Sequence, residues 1–169
     1  RRFLMTTFLK NRDMKFSFHL LLACIALTAC GESGKTTADY RIVPCPGEIA
    51  PGDGGDFELD ARTRIVCTGD NDGMRANAEF LAGYVESVVG SAPEITGPDG
   101  LCDDGRAVIL RADAPGKGGE AYEIEVSENR ITVSGESDAG VFYGIQTLRK
   151  AMGAAKAAKV LFPAVRIAD

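Results

Sequence analysis

The chain has 169 residues, 45% of them apolar and 25% charged, which fits one globular domain of ordinary size and excludes a disordered chain. Its net charge of −5 conceals an asymmetry: residues 1–29 hold five basic residues and one acid, leaving 14 basic against 23 acidic residues, a net of −9, in the remainder. A body that acidic, with no basic stripe, repels phosphate backbones and excludes nucleic acid as a partner.

Met14-Lys15 opens a short basic region, and Phe16 to Leu27 is an apolar run of the length of a secretory signal, short of the roughly 20 residues of a membrane span. The run ends in Leu27-Thr28-Ala29-Cys30, which is similar to the bacterial lipobox, so Cys30 is the expected lipidation site and the membrane an expected partner through that anchor. Residues 1–13 are expected to lie upstream of the true start or to extend the leader. His19, the only histidine, falls in the leader, so the processed chain has no imidazole base or histidine metal ligand. Cys45, Cys67 and Cys102 then remain, an odd number without CxxC spacing; one disulfide plus a free thiol is possible, with connectivity open. Neither a metal nor a cofactor is expected.

Ala29-Cys30-Gly31-Glu32-Ser33-Gly34-Lys35-Thr36 has the look of a degraded phosphate loop, but it lacks the first glycine and the flanking strand and helix. Residues 30–39 are better explained as a flexible tether between lipid and domain. Gly31 lacks the aspartate that follows the cysteine of some inner-membrane lipoproteins, which favours the outer membrane.

From Tyr40 onward strand and helix signals alternate. Tyr40-Arg41-Ile42-Val43 is a short extended run broken by Pro44 and Pro46, Asp56 to Leu59 alternates, and Thr63 to Thr68 is a β-branched strand. Asp70, Asn71 or Asp72 can cap a helix whose apolar face is Met74, Ala78, Leu81, Val85 and Val88, with Gly90 as its stop. A calcium loop at 70–73 lacks the further ligands. Arg106 to Arg111 suits a central strand buried on both faces. Tyr122, Ile124 and Val126 alternate with glutamates, Ser127-Glu128-Asn129 turns, and Ile131 and Val133 return as the buried row of a hairpin. Ser137 caps a second helix with the stripe Val141, Ile145, Leu148 and Met152, ending at Gly153. Gly140 and Gly144 inside it each cost about 1 kcal/mol relative to alanine, to be offset by a close approach to the sheet or to a ligand. Val160 to Asp169 is extended again and stops without a cap or polar tail, which suggests a chain that continues. The resulting fold class is α+β: a mixed β-sheet with two helices packed on one face, the other face solvated or free for docking.

Glu120, Tyr122, Ile124, Val126, then Ile131-Thr132-Val133 and Gly135, then Ala139-Gly140-Val141-Phe142-Tyr143-Gly144-Ile145-Gln146-Thr147-Leu148 follow one pattern. It resembles the accessory domain that precedes the catalytic barrel of family 20 glycoside hydrolases, bacterial β-N-acetylhexosaminidases among them. Ile42-Val43-Pro44-Cys45-Pro46 and Phe162 to Asp169 are similar to that domain's opening and closing strings. The resemblance implies three regions: a leader over 1–29, a lipidated tether over 30–39, and an accessory domain over 40–169 running into an absent (β/α)8 barrel. It also implies the parent's activity, removal of terminal N-acetylglucosamine or N-acetylgalactosamine by retaining hydrolysis in which the substrate's own acetamido oxygen attacks. The Asp-Glu pair that serves this chemistry lies in the barrel; no Asp-Glu dipeptide occurs here, and Asp53 with Asp56 and Asp103-Asp104 sit in turn-like glycine segments. No catalytic residue is therefore assigned, and the implied partners are the barrel and, for the parent, an aminosugar glycan. The competing reading is a freestanding envelope lipoprotein that binds a glycan or protein through its sheet face.

Overall fold

The computed structural model describes residues 34–101, 105–112 and 119–169. In chain order they form β1 (Lys35–Thr37), β2 (Glu48–Pro51), β3 (Phe57–Leu59), β4 (Arg64–Cys67), α1 (Asp72–Val89), β5 (Glu94–Thr96), a 3-10 turn (Pro98–Gly100), β6 (Ala107–Arg111), β7 (Tyr122–Ser127), β8 (Arg130–Gly135), α2 (Asp138–Met152), β9 (Lys159–Phe162) and β10 (Val165–Ala168). One sheet runs β2-β10-β7-β8-β6-β4-β5 and a second, smaller one β1-β9-β3. Strands β8, β6, β4 and β5 pair in parallel, whereas β7, β10 and β2 pair antiparallel. This is the α+β class expected, a mixed sheet with two helices.

Both helices form where polar caps meet apolar stripes. The Asn71 side chain accepts the Met74 amide at 2.8 Å, which makes Asn71 the cap of α1, and Gly90 ends the helix at φ 85°. Met74, Ala78, Leu81, Val85 and Val88 are all buried. Ser137 caps α2 by accepting from the Gly140 amide while its hydroxyl donates to the Gly119 carbonyl. Val141, Ile145, Leu148 and Met152 are buried in the same core as the inward row Tyr122, Ile124, Val126, Ile131 and Val133. The two helices are also tied at their N-terminal ends, where Asn77 Nδ2 donates to the Asp138 carbonyl at 2.8 Å.

The two glycines inside α2 sit where the helix presses on the sheet. A β-carbon on Gly140 would collide with the Ala121 carbonyl oxygen, and one on Gly144 would lie 2.5 Å from Val133 Cγ1. Of the two explanations the sequence left open, close helix–sheet packing is the one observed.

The sheet's opposite face divides along the parallel–antiparallel line. Under its parallel half Val66, Ala107 and Ile109 form a small second buried cluster. The 3-10 turn lies on that side, since a β-carbon on Gly100 would meet Thr96 Oγ1, and Thr96 is in register with Val66. The antiparallel half presents Glu123, Glu125, Thr132, Ser134 and Arg166, with Arg166 paired to Glu123 at 2.6 Å. Parallel strands thus read as continuous apolar runs, antiparallel ones as alternation.

Three expectations need correction. The tether assigned to 30–39 is not free chain over its described part: Lys35–Thr37 pairs in parallel with β9, and Ala38 is buried. A three-residue polar strand carries no periodicity, so only its partner makes it visible. Tyr40–Val43 is extended in expectation but forms no strand; Tyr40 instead packs against the core, and its hydroxyl donates to the Pro163 carbonyl at 2.9 Å. Burial, with the nearby Asp56 charge, pushes that phenol well above its ordinary range. The single closing run divides at Pro163-Ala164 into β9 and β10, which belong to different sheets.

A charge cluster joins the small sheet to the start of β6 in the large one. Glu58 accepts from Lys159 at 2.7 Å and from Arg106 at 3.2 Å, and Asp60 accepts from Arg62 at 2.9 Å and Arg106 at 3.4 Å. Burial pushes the Asp60 carboxyl up, but the hydrogen bonds and charge of Arg62, with the charge of Arg106, hold it below the usual carboxylate range. The Lys159 hydrogen bond holds Glu58 low in the same way. Groups lowered in the folded state stabilise it above their unfolded pKa values and lose that contribution as pH falls through the folded ones. Thermal melts should therefore show stability declining below about pH 4. The Arg106→Ala chain should melt lower at neutral pH and show a shallower acid decline. A decline unchanged by that substitution would assign the acid sensitivity to other carboxylates.

Candidate functional site

Helical spacing places Tyr143, Gln146, Thr147 and Lys150 along one strip of α2, with Thr147 buried and Tyr143 and Lys150 exposed. Together with the stretch entering β7 and with Asp169, they line an open cleft of about 700 Å³. Each wall is held by specific bonds. Tyr122 and Asp169 exchange backbone hydrogen bonds at 3.0 and 3.1 Å, and Asp169 Oδ1 accepts the Gly47 amide at 2.9 Å. Lys150 Nζ donates to the Val43 carbonyl at 2.9 Å. The Tyr122 and Thr147 hydroxyls pair at 2.7 Å, and burial pushes the Tyr122 phenol up, so its proton stays in place at neutral pH.

These groups are occupied in holding the fold. The hydroxyls face each other, and no histidine lies among the described residues to act as a base for them. Among the described residues no group of three or more His, Cys, Asp or Glu side chains is placed to hold a metal ion. The cleft can pack against or hydrogen-bond to a partner; it lacks a nucleophile paired with a base.

The residues singled out in the sequence are scattered. Cys30, Cys102 and Asp103-Asp104 lie outside the described residues. Asp53 and Asp56 flank a turn whose Gly54 has φ 102°, and Asp56 accepts the Ala164 amide at 3.2 Å. Cys45 is exposed, and Cys67 is buried with its thiol donating to the Gly69 carbonyl; both are free thiols.

Sequence reasoning missed an aromatic group on the outer side of the helix pair. Phe80, Phe142 and Tyr143 are 39%, 36% and 43% exposed, and their rings are neighbours: Phe80 to Phe142 at 5.6 Å between centroids, Phe142 to Tyr143 at 6.0 Å. The available signal was that all three fall off the buried stripes of their helices.

Residues 39–169 match the family model described as "Glycosyl hydrolase family 20, domain 2". A β-N-acetylhexosaminidase of Cellulomonas fimi is 28% identical over 131 residues, covering 78% of this chain and 26% of that protein. Two solved structures share the fold. The GH20 β-N-acetylhexosaminidase from Streptomyces coelicolor A3(2) has a TM-score of 0.65 at 23% identity, over 77% of this chain and 26% of that one. The Streptomyces plicatus N-acetyl-β-hexosaminidase has a TM-score of 0.62 at 24% identity, with the same coverage. The chain thus spans about a quarter of the length of these relatives, and the quarter it spans is one folded unit. Since the family model takes in residues 39–169, well over half of the chain, the chain belongs to glycosyl hydrolase family 20, and those residues are the family's domain 2.

Proposed function

We propose that this chain is the non-catalytic N-terminal part of a lipid-anchored β-N-acetylhexosaminidase. The parent would remove terminal N-acetylglucosamine or N-acetylgalactosamine from glycans by substrate-assisted retaining hydrolysis, with the chemistry in a barrel beyond Asp169. The observation that carries this reading is the match of 39–169 to domain 2 in a chain that spans 26% of a β-N-acetylhexosaminidase. The cleft is consistent with it, because its polar groups serve the fold and not a reaction. The domain would act as a brace: Asp169, pinned to Tyr122 and Gly47, sets the position and direction of whatever follows.

The competing reading, ligand binding through the sheet face, draws no support from the outward residues of the antiparallel half, which are acidic, hydroxylic, arginine (Arg130 and Arg166) or alanine and include no aromatic platform. Two measurements test the proposal. Purified residues 31–169 should leave a chromogenic N-acetylglucosaminide uncleaved, while the product of a longer reading frame should hydrolyse it; turnover by 31–169 alone would sink the account. In cells, the expected anchor predicts fatty-acid labelling and membrane sedimentation, both lost in Cys30→Ala. Labelling that persists in that variant would remove the anchor from the proposal.

A further inference from the structure

On the reading that Cys30 carries a lipid, we propose that the cations gathered where the chain enters the domain are a docking surface for the anionic phospholipid headgroups of the anchoring membrane. Lys35 opens β1 in register with Lys159 of β9. Lys159 and Arg106 both pair with Glu58, and Arg106 and Arg62 both pair with Asp60. Lys156 and Arg130 extend the group. The two residues after Lys156 bond through their amides to Val88 and Gly34, and Arg130 is in register with Ala107, next to Arg106. Both side chains are exposed, and neither pairs with an acid among the described residues. Six cations thus stand with two carboxylates on a body whose net charge is −9, with Glu86 and Glu128 at the margins. The opposite end of the sheet is acidic. Asp72 and Asp138 begin the two helices, Glu136 precedes the second, and Asn71 joins the helix starts by donating to Asp138 at 3.3 Å.

Tether length brings this end to the bilayer. Only Gly31 to Gly34 separate Cys30 from β1, because the pairing of β1 with β9 takes up the second half of the expected tether. At about 3.6 Å per residue, Lys35 stays within about 18 Å of the lipidated cysteine even at full extension. A domain held this close turns one end to the lipid. The field of an anionic surface, felt over roughly 8 Å at physiological salt, attracts the cationic end and repels the acidic one. The lipid supplies the attachment, so the cluster has only to set the orientation. Asp169 then faces away from the membrane: it is bonded to Tyr122, which lies opposite Gly135, whereas Arg130 lies at the other end of the same hairpin.

The test uses the lipidated chain isolated from cell membranes in detergent. It is reconstituted in vesicles of phosphatidylcholine alone, or of phosphatidylcholine and phosphatidylglycerol in equal parts. Amine labelling of Lys35, Lys156 and Lys159, read by mass spectrometry, should fall several-fold on the anionic vesicles relative to detergent and stay high on the neutral ones. Carboxyl labelling of Asp72 and Glu136 should be the same throughout. Molar salt should restore the lysine labelling. Combining Lys156→Glu with Arg130→Glu should leave the melting temperature nearly unchanged and abolish the protection of Lys35. Equal lysine labelling in detergent and on anionic vesicles, protection that survives molar salt, or equal protection on neutral vesicles would each overturn the inference and leave the anchor in place. An isolated chain without lipid on Cys30 would instead remove the proposed anchor, and this inference with it.

Discussion

Phe162→Ala should destabilise the chain by about 3–5 kcal/mol, a large part of the 5–15 kcal/mol that holds a typical domain together. The ring is fully buried, and in the β3–β9 ladder it stands directly opposite Phe57, which is fully buried as well. Both belong to the same core cluster as Ile145 and Leu148 of α2, so the small sheet is part of the main core and not an appendage. Truncation leaves a cavity that backbone-paired neighbours on β1 and β3 cannot collapse into. Urea unfolding of the two chains measures the loss. Combining the change with Phe57→Ala should cost less than the two single losses together, because the two residues stand opposite each other in the ladder within one core cluster. A single loss under about 1 kcal/mol would show that β1-β9-β3 is peripheral to stability.

The second large effect concerns glycines of opposite sign. Replacing an exposed glycine inside a helix by alanine stabilises it by about 1 kcal/mol. Gly83 of α1 fits that rule, with nothing within 4 Å of an added β-carbon, and Gly83→Ala should be stabilising. Gly140→Ala and Gly144→Ala should instead destabilise, by about 1–3 kcal/mol each. At Gly140 the added carbon meets the backbone at Ala121 and Gly135, which cannot swing aside; at Gly144 it meets Val133, itself wholly buried. Relief requires α2 to lift from the sheet, which would also move Tyr143 and Gln146, the wall of the cleft. Denaturant midpoints for the three variants decide the matter. Stabilisation by Gly140→Ala would mean that the helix has room to rise and that its depth is not set by these contacts.

Much of this fold is written in local pattern. Met74 to Val88 and Val141 to Met152 repeat at helical spacing, and Tyr122 to Val133 alternates around a turn, so each element declares its buried side before any partner is known. Lys35–Thr37 and Glu94–Thr96 declare nothing. Each is three residues long, polar or mixed, and becomes a strand because a neighbouring strand offers unpaired backbone groups. The site was less legible than the fold. Phe80, Phe142 and Tyr143 are apolar side chains off the buried stripe, and spacing within one helix does not reveal that the next helix brings its own ring to 5.6 Å.

The sequence by itself determined the class of the fold, both helix faces, the Ser137 cap, the buried rows of the hairpin and the membership in family 20, because caps, periodicity and a ten-residue motif are local properties of the chain. Only the tertiary structure decided why Gly140 and Gly144 are glycines, how the closing run divides between two sheets, and where the exposed aromatic rings meet. Those are relations between segments tens of residues apart, set by which backbone approaches which, and no local pattern carries that distance.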